Sequence, residues 1–167
     1  MIEALRALFT DPGLPSFHPL VVHFPIAFVA VAPFFDLACL VFRNRVWLDR
    51  SASALYLAGT LGAGAAYLSG DRAAKALASV SPTAESVLAD HQAQAVLTLI
   101  VLAAVTLLRV TVSWLARDDR RIKIGIFRLL AIPAAVAALA MLALTADLGG
   151  RLVYRYGVGV AVESLDR

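Results

Sequence analysis

LVVHFPIAFVAVAPFFDLACLVF, residues 20–42, is a run of apolar residues in which Asp36 is the only acid and there is no lysine or arginine. A helix needs about 20 consecutive, mostly apolar residues to cross the hydrocarbon core of a bilayer, and this stretch meets that length. Three further apolar segments follow, at 52–69, 92–115 and 127–146. The second is shorter and rich in small residues, and the fourth is Ala/Leu-rich with Pro133 inside. The pattern predicts one domain over residues 1–167, all-α, built as an integral membrane four-helix bundle.

Composition agrees. The chain is 60% hydrophobic and 16% charged, with a mean hydropathy of +0.80. Soluble domains carry about 45–50% apolar and about 25% charged residues. A net charge of +3 and a pI near 9.4 raise the question of nucleic acid. The basic residues, however, gather in two loops between apolar segments, which fits a topogenic role better than phosphate binding. Cys39 is the only cysteine, so no intramolecular disulfide exists.

Lysine and arginine set the expected orientation. Arg43, Arg45, Arg50, Arg109, Arg117, Arg120, Arg121, Lys123 and Arg128 flank the loops after spans one and three, against Arg6, Arg72, Lys75, Arg151, Arg155 and Arg167 on the other side. The positive-inside rule puts the first group in the cytoplasm and both termini outside. Short loops then favour an up-down antiparallel arrangement. Trp47 and Trp114 lie near span ends, where interfacial tryptophans belong. Ile2, Leu5, Leu8 and Phe9 recur at helical spacing before Pro12 and Gly13, which predicts a short N-terminal helix in the interface. In span two, Ala58, Gly62 and Ala66 repeat every fourth residue, a spacing that lets helices approach closely in lipid.

The chain has three histidines, and this topology brings all of them to the outer face. His18 and His23 frame the start of span one, and His91 opens span three. At about 1.5 Å per residue, His23 and His91 lie at similar depths, about 30–35 Å from the cytoplasmic boundary. Histidine is costly in lipid and is the commonest neutral metal ligand, so the layer reads as a site. Pro19 suits a first helical turn, and Pro25 withholds a hydrogen bond from the Val21 carbonyl beside His23. Ser81-Pro82-Thr83-Ala84-Glu85 reads as a helix start that carries His91 inward. Asp71, Asp90 and Asp147 reach the same face as candidate carboxylates to orient an imidazole. Gly149-Gly150 predicts a sharp reversal, after which the C-terminal segment, with Arg151, Tyr154 and Arg155, folds over the outer end and meets anionic groups of a cofactor or lipid.

The run His18-Pro19-Leu20-Val21-Val22-His23-Phe24-Pro25-Ile26-Ala27, the later His91, and the closing Gly149-Gly150-Arg151-Leu152-Val153-Tyr154 with Gly157-Val158-Gly159-Val160 resemble a bacterial four-helix membrane family known only as a domain of unknown function. The resemblance covers nearly the whole chain. It implies the bacterial inner membrane, both termini on the periplasmic side, and, since members occur with c-type cytochrome modules, a periplasmic redox partner. Where members often carry a histidine before the closing glycines, this chain has Tyr156.

Three readings of the histidines stand open. One is a b-type haem ligated by His23 and His91, with arginines for its propionates, serving electron transfer. Another is copper or zinc on His18, His23 and His91. The third has no cofactor: the histidines only hydrogen-bond across the helices of an accessory subunit. No Ser-His-Asp pattern, HExxH, phosphate loop or CxxC is present, so an enzyme in its own right is not expected. Partners are the bilayer and, for such packed helices, further copies of the chain. Asp36, deeper in span one, is expected to pair with Arg109 rather than to relay protons.

Overall fold

A computed structural model describes residues 17–42, 45–77, 80–115 and 120–160, with the backbone alone at 115 and 120–129. The described residues form α1 (His18–Val21), α2 (His23–Val41), α3 (Val46–Lys75), α4 (Pro82–Leu115) and α5 (Arg120–Tyr154), with no strand among them. The expected N-terminal helix at Ile2–Phe9 lies outside these residues, as does the tail from 161.

Three segments, His18–Val41, Pro82–Trp114 and Leu130–Tyr154, are long and apolar enough to cross a membrane. The fourth expected span, 52–69, lies within α3, which has 30 residues and so the length, about 45 Å. Its glycines, serines and tyrosines dilute its apolar character, so composition alone does not mark it as a span.

Prolines and glycines locate the breaks. Pro25 has no N–H for the Val21 carbonyl, which interrupts the hydrogen-bond ladder between α1 and α2, while Val22 keeps helical angles (φ −63°, ψ −23°) and the helical path continues. At the start of α4 the expected cap is present: the Ala84 N–H donates to Ser81 Oγ at 3.2 Å. The expected reversal at Gly149-Gly150 is absent. Helix α5 runs through both glycines to Tyr154, and the positive φ angles fall at Gly157 (64°) and Gly159 (76°). There the Gly157 N–H donates to the Val153 carbonyl and the Val158 N–H to the Leu152 carbonyl, closing the helix. Glycine permits a reversal without compelling one, and continuing the helix keeps backbone groups paired near lipid. The segment beyond Gly149 therefore extends as helix instead of folding over the helix ends there, and Tyr154 is 91% exposed.

The four long helices close a ring of contacts, α2 on α3, α3 on α4, α4 on α5 and α5 on α2. Val29, Ala32, Tyr56, Leu102, Val105 and Ala138 form the core. The small residues of α3 act as helix contacts: a Cβ on Gly59 would sit 2.5 Å from Val29 Cγ2, and one on Gly62 3.1 Å from Pro25 Cδ. Phe34, Leu61 and Leu107 point outward and are exposed, the apolar coat that lipid covers in a membrane protein. Trp47 and Trp114 are also exposed.

Candidate functional site

Two histidines meet where α1 and the start of α4 approach the ends of α3 and α5. The imidazoles of His18 and His91, both half-buried, have centroids 6.4 Å apart and planes at 81°. His18 Nδ1 lies 3.0 Å from the Ala66 carbonyl and 3.2 Å from Ser69 Oγ, whose own hydroxyl donates to Ala66. His91 Nδ1 lies 3.1 Å from the Thr145 carbonyl. A carbonyl only accepts, so each Nδ1 carries the hydrogen. In the neutral ring, Nε2 then keeps its lone pair. Both rings are thus fixed as the tautomer that a ligating histidine uses when its other nitrogen is anchored.

Glycines make the room. A Cβ on Gly70 would come 2.9 Å from His18 Cε1, and one on Gly149 3.2 Å from His91 Cε1. Each imidazole lies against bare helix backbone, which explains these glycines better than turn formation does.

The sequence pairs His23 with His91, whereas the structure brings His18 to His91. His23 is exposed, and its Nδ1 turns back to the Pro19 carbonyl at 2.5 Å. Helical spacing is the physical cause: five residues turn the helix by about 140° beyond a full revolution, so His18 and His23 face different sides, and depth alone could not choose between them. The carboxylates expected to orient the imidazoles are placed elsewhere. Asp71 pairs with Lys75 at 2.6 Å, Asp147 with Arg151 at 2.7 Å, and Asp90 is exposed. Carbonyls of Ala66 and Thr145 fill the orienting position. Arg151 and Tyr154 are exposed at this end, and Arg155 lies 5.8 Å over the Tyr156 ring. No group of three histidine, cysteine or acidic side chains converges among the described residues.

Polar side chains continue along the inner face of α4. Thr98 donates to the Gln94 or Met141 carbonyl and pairs with Thr145 Oγ1 at 2.7 Å. Further along, Thr106 pairs with Thr60 at 2.8 Å. At the far end Arg109 holds both Asp36 and Asp49 at 2.9 Å and donates to Ser113, while the Tyr56 hydroxyl donates to Asp36 at 3.1 Å. The expected Asp36–Arg109 pair is therefore present, and Asp49 and Tyr56 complete it. Asp36 and Arg109 are buried, each 4% exposed, so neither charge could stand alone. Positions 91, 98, 102, 105, 109 and 112 share one helical face, a periodicity visible in the sequence.

No curated protein and no solved structure matches the chain. One family profile does, described as a predicted membrane protein of unknown function, over residues 14–162. The chain thus belongs to the DUF2231 family of predicted membrane proteins.

Proposed function

We propose that the protein binds a b-type haem between His18 and His91 and passes electrons to a partner outside the bacterial inner membrane. The observation carrying this reading is the pair of imidazoles brought to 6.4 Å, each with Nδ1 held by a backbone carbonyl and Nε2 left as the lone-pair nitrogen. At that spacing His18 and His91 would both be within reach of one iron held between them. Two ligands suffice only for a metal that brings its other ligands with it. Haem iron does so, whereas a structural zinc site takes four protein ligands.

The small residues at Gly70 and Gly149 support the same reading, since they leave backbone where side chains would crowd the rings. Arg151 and Arg155 are among the cations at this end and would meet the propionates. Haem, when bound, would supply one-electron redox chemistry. The chain's own part is to hold two neutral imidazoles in one tautomer, at one spacing, with little freedom to move between oxidation states.

We further propose an up-down arrangement of four spans, with α3 as the fourth, both termini on the periplasmic side and the histidines at that face. Lysine and arginine asymmetry supports the orientation. A span that is less apolar than its neighbours is tolerable where its small residues face other helices.

The test is an absorption spectrum with elemental analysis on protein purified from haem-sufficient cells. A Soret band with about one iron per chain is expected. Copper or zinc without a Soret band would replace haem by a metal ion. Neither would leave the histidines as braces between helices.

A further inference from the structure

The two imidazoles are held differently, and the difference lies in one side chain. On α5 the Thr145 carbonyl receives the His91 Nδ1–H and, from its own helix, the backbone N–H four residues on. The Thr145 hydroxyl turns to Met141 and Thr98 instead. A carbonyl oxygen has two lone pairs, so this one is filled without being crowded.

The Ala66 carbonyl on α3 has one donor more. The helix brings the Gly70 N–H, Ser69 donates its hydroxyl at 2.9 Å, and His18 Nδ1 approaches at 3.0 Å. Three donors compete for two lone pairs. The Ser69 oxygen lies 3.2 Å from the same Nδ1, has given its hydrogen to Ala66, and keeps its acceptor capacity. We propose that Ser69 is the positioning residue of the site. By sharing the Nδ1–H with the Ala66 carbonyl, its oxygen holds His18 in one tautomer and makes it, rather than His23, the histidine that offers a bare Nε2 beside His91.

The surroundings fit that role. Residues 66, 69 and 70 supply in turn a carbonyl, a side-chain acceptor and bare backbone against the His18 ring. His23 has no tie to α3, since its Nδ1 turns to the Pro19 carbonyl of its own segment. An acceptor on Nδ1–H raises the basicity of Nε2, the nitrogen that would meet iron. The effect on iron rests on the haem proposal, whereas the effect on the imidazole does not.

Haem-free protein carrying ¹⁵N-histidine, in mixed micelles, should be compared as wild type, Ser69→Ala and Ser69→Thr, with helicity checked by circular dichroism. Threonine keeps the hydroxyl and can reach the same carbonyl. In Ser69→Ala the His18 Nδ1 proton should exchange with water about five- to tenfold faster, the loss of one hydrogen bond, and the ring nitrogen shifts should move toward a mixture of tautomers. Ser69→Thr should restore both, with His91 unchanged throughout. With haem bound, Ser69→Ala should weaken binding about 10–100-fold and raise the reduction potential, because a poorer donor favours ferric iron less. Wild-type exchange and shifts in Ser69→Ala, a Ser69→Thr that behaves like Ser69→Ala, or equal changes at His91 would each overturn the proposal. Failure of the wild type to take up haem would overturn the haem reading alone, and the imidazole measurement would still decide the role of Ser69.

Discussion

Replacing Arg109 by Met should be the most damaging single change in the helical core, and its size follows from burial. The Arg109 and Asp36 side chains are 3% and 5% exposed, and Asp49 is 15% exposed. Without the guanidinium, Asp36 keeps the Tyr56 hydroxyl but loses its countercharge. Breaking one side of a buried pair costs about 3–5 kcal/mol, or two to four powers of ten in the folding equilibrium. Adding Asp36→Leu removes the stranded carboxylate. The remaining Asp49 sits in the first turn of α3, where the helix dipole and water stabilise an anion. The double variant should therefore recover at least about 2 kcal/mol relative to Arg109→Met alone, the mark of coupled sites. Reversible unfolding in mixed micelles, followed by circular dichroism across the four proteins, measures this directly. If the two single losses simply add, within about 0.5 kcal/mol, the pair is not the interaction described here.

The other predictions concern hydrogen bonds and glycines. Thr98→Val keeps the shape but removes a buried hydroxyl that bonds across to α5, and should cost about 1 kcal/mol in the same unfolding assay. Gly70→Ala should disturb His18 more than Gly149→Ala disturbs His91, because the added carbon comes within 2.9 Å in the first case and 3.2 Å in the second. Imidazole nitrogen chemical shifts should show loss of the single tautomer at His18 and only a small change at His91. Gly157→Ala forces a side chain into a left-handed backbone (φ 64°) and should cost about 1–2 kcal/mol, read as faster amide exchange at 157 and 158 with the core unaffected.

Much of the fold was legible because membrane helices announce themselves by length and apolarity, as in 20–42 and 92–115. The start of α4 was legible from Ser81 and Pro82, since a cap is local chemistry. The end of α5 was not: two adjacent glycines are compatible with both helix and reversal, and contact with His91 requires Gly149 for another reason. The partner of His91 was hidden for a related cause. Depth along a helix follows from counting residues, but the side facing inward depends on packing, and the contacts of His18 with Ala66 and Ser69 gave the position to His18. Asp36 and Arg109 could be paired from the sequence because buried charges need countercharges. Asp49 was missed because it lies between the apolar segments and reads as an ordinary first-turn acid.

The site is defined by which histidines form the pair. Purified protein titrated with haem and followed by optical spectroscopy, as wild type and as His18→Ala, His23→Ala and His91→Ala, tests this most directly. The expected result is one low-spin haem per chain in wild type and in His23→Ala, with the low-spin spectrum lost in His18→Ala and His91→Ala. No haem in wild type, or loss in His23→Ala with retention in His18→Ala, would contradict it.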